Sequence, residues 1–337
     1  MTGFPALSPD QQAARLRDAA RIALRRWGIS DATLELIKYR ENAVFRVQHD
    51  GGRSALRVHR HDYHSDAELL SELQWMQALA DSGIQVPAVI PTVSGESFIT
   101  YEAPGLPGPV QMDLFEWISG EQLGSVERGL AVGAAIAPVY RTIGELAARV
   151  HNQSSTWSAP AGFMRHAWDA DGLAGDQPLW GRFWELESAS PGQRDLLARG
   201  RARVFRDLSR LDRSPETYSM IHADLVPENL LVDHGRVRVI DFDDAGFGWH
   251  LFELATVLYM IADQPYFTEA RDALFAGYRL HRRLPDERLE NLPLFMLARG
   301  FSYVSWVHTR RQTETAGELT PILLDAACRL ADEYLST

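Results

Sequence analysis

His222, Asp224 and Asn229 stand in sequence as a histidine, an aspartate two residues on, and an asparagine five residues after that. A short apolar run, Leu230-Leu231-Val232, leads to turn residues Asp233-His234-Gly235 and an alternating Val237-Arg238-Val239, and a second acidic cluster follows, Asp241-Phe242-Asp243-Asp244. The stretch between the clusters has the pattern of a β-hairpin, which brings Asn229 and Asp241 to one end. Carboxylates and an amide oxygen gathered there are hard ligands suited to Mg2+. A further carboxylate beside them can orient an alcohol and accept its proton. A phosphoryl donor carries charge that a metal must offset, so the two clusters together fit phosphoryl transfer. Either cluster alone would read as solvated acids at the ends of a hairpin; both at this spacing favour chemistry.

The same register occurs in the catalytic loop of protein kinases, with the DFG motif one hairpin later. In that register Asp224 and His222 are the catalytic candidates, the histidine bracing the loop backbone. Asn229, Asp241 and Asp243 are the candidate metal ligands. Asp244 and Glu253 either shape the acceptor side or cap the next helix, since acids near a helix N-terminus are favourable without any function.

The segment 221–244 resembles the core of the aminoglycoside phosphotransferase and choline kinase-like families, which share the protein-kinase fold. The longer run IDFDDAGFGWHLFELATVL resembles a bacterial subgroup that includes homoserine kinase type II-like proteins and the stress-response kinase SrkA. The resemblance extends from about Tyr39 to the C-terminal helices. It implies an α+β, bilobal protein-kinase-like fold with an antiparallel sheet in the N-lobe and a mainly helical C-lobe. Residues 1–117 would form the nucleotide-covering lobe with a leading helix. Residues 118–337 would form the catalytic lobe, with a helical insertion over 153–217. The implied cofactors are ATP and Mg2+.

Composition agrees with such an enzyme. A chain of 337 residues can bury a substantial core, and its net charge of −11 argues against nucleic acid and anionic membranes as partners. A single cysteine, Cys328, excludes an intramolecular disulfide and any multi-cysteine metal site. There is no signal-like start and no apolar run long enough to span a bilayer, so the expected location is cytoplasmic. The expected partner is a small-molecule hydroxyl acceptor, with the chain a monomer or homodimer.

The positioning elements follow from periodicity. Leu16, Ala19, Ala20, Ala23, Leu24 and Trp27 recur as one helical face that Gly28 ends. Strands are expected at Leu34–Ile37, Ala43–Gln48 and Ser54–Val58, then at Phe98–Tyr101 and Gln111–Ile118. The turn Tyr39-Arg40-Glu41-Asn42 lies where a kinase covers the nucleotide phosphates, though it lacks glycines; Asn42 is its candidate contact, against a plain turn. Arg57 occupies the place of the kinase β3 lysine; Lys38, the only lysine in the chain, precedes the wrong strand. Arg57 keeps the charge, with a different reach. Glu72 on the helix Asp66–Ser82 is the candidate to brace Arg57, with Glu68 as fallback and a solvated charge as the plain alternative. Phe115, Glu116 and Trp117, in a hinge-like stretch, are candidate adenine contacts or simply core.

Further on, a helix is expected over Arg141–His151. An aromatic-rich region follows, with a helix over Pro191–Leu211, which either walls an acceptor pocket or forms a satellite core. Ala245-Gly246-Phe247-Gly248 reads as a tight turn and Trp249–Ala262 as a helix. That leaves no room for an activation segment, and Ala223 replaces the arginine that would pair with its phosphate. Helices at Phe267–Leu284, Leu289–Thr309 and Thr320–Leu335 complete the chain, with Tyr303, Trp306 and Trp249 as pocket or core aromatics. The expected activity is ATP- and Mg-dependent transfer of the γ-phosphoryl group to a hydroxyl of an amine-bearing alcohol. Alternatives are a Ser/Thr protein kinase of the SrkA type and a nucleotide-binding pseudokinase-like module.

Overall fold

Serine caps start the first two long helices, α1 (Pro9–Ala23) and α2 (Asp66–Asp81). Ser8 and Ser65 accept the N–H of Gln11 and Glu68, whose side chains return the bond to the cap. Each such capping box stabilises its helix start by about 1 kcal/mol. The fallback brace Glu68 is therefore committed to Ser65, at 2.9 Å from its N–H. In the computed structural model, residues 4–125, 129–130, 135–233 and 236–337 are described. The chain forms two units, residues 1–120 with 159–164, and residues 121–158 with 165–337. The class is α+β.

The first unit is built on an antiparallel sheet of order β1-β2-β3-β5-β4. Its strands are β1 (Thr33–Tyr39), β2 (Ala43–His49), β3 (Gly52–Val58), β4 (Phe98–Tyr101) and β5 (Val110–Glu116). Alternation puts Phe45, Val47, Leu56, Val58, Met112 and Leu114 in one core, against Leu16, Ala20 and Trp27. The register sets Arg57 directly opposite Asp113.

The second unit carries short strands among helices. In chain order these are β6 (Glu121–Gln122), β7 (Gly124–Ser125), β8 (Gly129–Leu130), α3 (Ile136–Thr156), β9 (Ala167–Trp168), α4 (Ala170–Ala174) and α5 (Pro191–Leu208). Then come β10 (Tyr218–Ile221), β11 (Leu230–Asp233), β12 (Arg236–Val239), β13 (Gly246–Trp249), α6 (His250–Tyr259), α7 (Phe267–Arg279), α8 (Asp286–Leu289), α9 (Leu292–Thr309) and α10 (Glu314–Leu335). β11 pairs with β12 and β6, and β13 runs between β10 and β9. β7 pairs with β8. The expected hairpin turn at His234-Gly235 lies outside the described residues.

Several boundaries differ from the sequence reading. α3 does not end at His151 but runs on to Thr156, and in this last turn Ser154, Ser155 and Thr156 donate their hydroxyls to the carbonyls four residues earlier. Gly246-Phe247-Gly248-Trp249 is a strand, not a turn. A Cβ on Gly246 would lie 2.7 Å from the His166 carbonyl, and one on Gly248 2.5 Å from Ile221. These glycines mark close strand approach. α10 begins at Glu314, capped by Thr313, with Pro321 inside the helix. α5 stops at Leu208, and α7 at Arg279.

α3 and α7 touch through glycines. A Cβ on Gly277 would meet the Arg141 carbonyl at 1.9 Å, and one on Gly144 would meet the Leu274 carbonyl at 2.0 Å. Gly277→Ala gains about 1 kcal/mol of helix propensity but forces backbone apart, which costs about 1–3 kcal/mol or more. The clash wins because a backbone carbonyl cannot swing aside. Urea unfolding of Gly277→Ala is expected to show a lower midpoint at unchanged slope; an equal or higher midpoint would show that the helices separate freely.

Candidate active site

Ile221 ends β10, and the chain then turns so sharply that Ala223 adopts φ +63°. This left-handed conformation costs a non-glycine residue about 1–3 kcal/mol. Glu253, fully buried on α6, holds the turn: its carboxylate accepts the N–H of His222 at 2.9 Å and of Ala223 at 2.6 Å. Burial raises the Glu253 pKa, although His222 and the two backbone N–H groups favour its charge. The sequence reading gave Glu253 an acceptor-side or capping role; instead it supports the loop backbone.

His222 is buried, and both ring nitrogens serve the loop. Nε2 donates to the Ile240 carbonyl at 3.0 Å, and Nδ1 accepts the Asp224 N–H at 3.2 Å. Its ring meets Phe242 edge-on at 4.6 Å. Both ring nitrogens thus meet main-chain groups, one before and one after the hairpin. Asp224 retains 23% side-chain exposure. Its Oδ2 accepts from Asn229 Nδ2 at 2.7 Å and its Oδ1 from Arg299 Nη2 at 2.7 Å.

Asn229 Nδ2 also donates to the Asp224 carbonyl at 3.0 Å, which leaves its Oδ1 directed elsewhere. Leu230 faces Val239 across the hairpin, and Ile240 N–H donates to the Asn229 carbonyl at 3.0 Å. The hairpin thus brings Asn229 next to the Asp241 segment. Asp241 is exposed and takes φ +66°. Asp243 is buried. The carbonyls of this acidic segment are clamped: Arg165 donates to Ala245 at 2.6 Å and to Asp243, while His166 and Trp168 bond the Asp244 carbonyl at 3.0 and 2.8 Å. Asp244 is held well above the ordinary carboxylate range, first by burial and then by the charges of Asp224, Asp243 and Asp241. Such mutual repulsion is what a cation would relieve.

Among the described residues no three His, Cys, Asp or Glu side chains converge as a closed ligand group. The Asp241 and Asp243 carboxylates and the Asn229 amide oxygen are hard oxygen donors, chemically suited to a divalent cation.

Arg57 and Glu72 lie in the other unit and meet there. Arg57 is a near-buried β3 side chain whose Nη2 is 2.8 Å from Glu72 Oε1. It also grips Asp113 with two bonds, Nε at 3.1 Å and Nη2 at 2.7 Å, and His59 adds a third contact to Asp113 at 3.1 Å. Burial would raise the Asp113 pKa, but Arg57 and His59 outweigh it and the net shift is downward. Asp113 escaped sequence reasoning, although its place opposite Arg57 on paired strands was the available signal. The Arg57 guanidinium lies 5.2 Å over the Phe115 ring, and Arg46 lies 5.7 Å over Trp117. Phe115 is buried, whereas Glu116 is exposed at the strand end. Asn42 turns its Oδ1 to the Arg60 N–H at 3.2 Å, tying down its own loop.

Arg299 was missed as well. It is a lone charge within the apolar run Leu294–Val307 of α9, and that isolation was the signal. Burial opposes its charge, but Tyr303 and the Asp224 carboxylate prevail and its pKa is raised. Of the candidate pocket aromatics, Trp249 is buried, and Tyr303 and Trp306 are half-buried.

A strained loop carrying an oriented aspartate, next to an acidic segment set by a hairpin, defines a phosphotransferase with a kinase-like catalytic core. The chain belongs to the phosphotransferase enzyme family, whose pattern it matches over residues 34–289, and it is a kinase. It is similar to the amicoumacin kinase of Bacillus subtilis (strain 168), at 24% identity over 307 residues covering 88% of this chain and 86% of that one. Among solved structures it resembles a microcompartment-associated aminopropanol kinase, at TM-score 0.83 and 32% identity, covering 95% of this chain and 98% of the other. The fold is shared also by amicoumacin kinase hAmiN in complex with AMP-PNP, Ca2+ and Ami, at TM-score 0.77 and 17% identity over 97% and 96% of the two chains. No helix among the described residues is long and apolar enough to cross a membrane.

Beneath Glu253, His151 and His250 stack at 4.2 Å between ring centroids. His151 Nε2 lies 3.7 Å from Glu253, and its Nδ1 is paired with Tyr278 at 2.9 Å. Burial pushes both histidines well below their ordinary value, with Arg282 adding to the effect on each and His151 to that on His250. The unfolded chain therefore binds protons near pH 6.5 that the folded one refuses, and stability falls as pH drops below that point. The slope approaches about 1.4 kcal/mol per pH unit for each histidine. Glu253, with its raised pKa, has the opposite sign: its contribution falls as pH rises above the ordinary glutamate value, and partly offsets the histidines. Urea unfolding between pH 7 and 5 is expected to show the loss, and His250→Asn to flatten it. A flat wild-type profile would show that the pair takes up protons as readily in the folded chain as in the unfolded one.

Proposed function

We propose that this kinase transfers the γ-phosphoryl group of ATP, in the presence of Mg2+, to the hydroxyl of a small amine-bearing alcohol. The observation that carries the reading is the Asp224 carboxylate, partly open and fixed on both oxygens, beside the Asp241–Asp244 segment. Asn229, Asp241 and Asp243 would hold magnesium, which supplies neutralisation of the donor phosphates. Asp224 accepts the hydrogen bond of the acceptor hydroxyl and aims its oxygen at the γ-phosphorus. The new O–P bond forms as the bond to the β,γ-bridging oxygen breaks, ADP leaves, and the hydroxyl proton passes to Asp224 and then to solvent. Because the transition state is loose, positioning and charge supply most of the rate. Within the first unit, Arg57, braced by Glu72, is the candidate phosphate contact, and Asn42 and Phe115–Trp117 are the candidate nucleotide contacts.

The amine preference rests on the acidic surroundings of Asp224 and on the similarity to a kinase named for aminopropanol. The short passage from Asp244 through β13 into α6 supports activity without an activating phosphorylation. The test is a panel of amino alcohols, diols and aminoglycosides with Mg·ATP, followed by ADP release and phosphorus NMR of the product. An amino alcohol should give a phosphate ester. Asp224→Ala and Asp241→Ala should each lower turnover by about 10²–10⁴-fold, and Asp241→Ala should also raise the KM for Mg·ATP. Retained activity in both variants would remove these roles, and an ester formed only on alcohols without an amine would remove the amine preference.

A further inference from the structure

The mechanism above leaves Arg299 unused. Its side chain is 0% exposed on α9, and a buried guanidinium is costly unless its charge and donors are met. Nη2 donates to Asp224 Oδ1 at 2.7 Å and to the Tyr303 hydroxyl at 3.0 Å, and Nη1 donates to the Ala223 carbonyl at 3.0 Å. The cation also lies 4.3 Å over the Tyr303 ring and 5.4 Å over Trp180. Asn229 takes the other Asp224 oxygen, so donors from two different elements fix the plane of one carboxylate.

We propose that Arg299 is a positioning residue for phosphoryl transfer: it acts through Asp224, setting the plane in which that carboxylate meets the acceptor hydroxyl. This rests on the reading that Asp224 faces the acceptor. The fork matters as well as the charge. Nη1 and Nη2 meet the Ala223 carbonyl and the Asp224 carboxylate at once, one on the strained residue and one on the reacting side chain. A lysine ammonium is a single point on a flexible stem and cannot reproduce that fixed pair. A merely structural Arg299 would neutralise a half-buried acid, and its loss would lower stability without a special dependence of turnover on Asp224.

A double-mutant cycle separates the two. Arg299→Lys and Arg299→Met are made alone and in the Asp224→Asn background, with kcat, KM for ATP and melting temperature measured. Turnover is read as phosphate-ester formation, or as ADP release to water where no acceptor is turned over. Arg299→Met should lower kcat by about 100-fold while KM for ATP stays within about threefold. Arg299→Lys should recover part of that loss. In the Asp224→Asn background the same changes should alter kcat by less than about threefold, because the residue they act through is gone. Equal effects in both backgrounds, or near wild-type kcat in Arg299→Lys and Arg299→Met, would overturn the assignment. Should Arg299→Met fail to fold, the Arg299→Lys cycle decides alone. A wild type that turns over neither alcohol nor water sinks the reading of the site and this one together; an active wild type with an additive cycle sinks only this one.

Discussion

One buried carboxylate carries the loop that presents Asp224. Glu253 sits fully buried beneath it and accepts two successive backbone N–H groups. A left-handed alanine costs about 1–3 kcal/mol. The two bonds from Glu253 and the Arg299 contact to the Ala223 carbonyl tie the turn down at three points. The turn persists because its surroundings over-determine it. Asp224 follows immediately, and its orientation inherits the rigidity of a core helix.

The acidic segment is controlled in the opposite manner, through its carbonyls. Arg165, His166 and Trp168 hold the backbone of Asp243, Asp244 and Ala245. Burial, and then the charges of Asp224, Asp243 and Asp241, keep the Asp244 carboxyl above its ordinary range. The backbone clamp comes from residues just before and within β9, in the aromatic-rich region that reads as little more than a wall or satellite core from sequence.

The fold was legible wherever one short-range signal decided the matter. Alternation located β1 to β5 within a residue or two, and the Phe98–Tyr101 strand in full. The triad His222, Asp224 and Asn229 was legible because its spacing is fixed by a single loop and hairpin. What escaped were pairings made by tertiary contact. Asp113 has meaning only once β3 and β5 are in register, and Arg299 only once α9 lies beside the loop. The glycines of β13 misled for the same reason. Their sequence suits a turn, but they are small because another backbone passes close.

Position 57 is a guanidinium clasped by Asp113 and Glu72. Such a group stays cationic at every pH a protein survives and is a poor nucleophile. Reagents that capture kinases by acylating an amine beside the nucleotide would find no target there, since the chain's single lysine is Lys38 on β1. An inventory of kinases drawn up by amine-directed labelling would pass over this chain at that position, whatever its turnover.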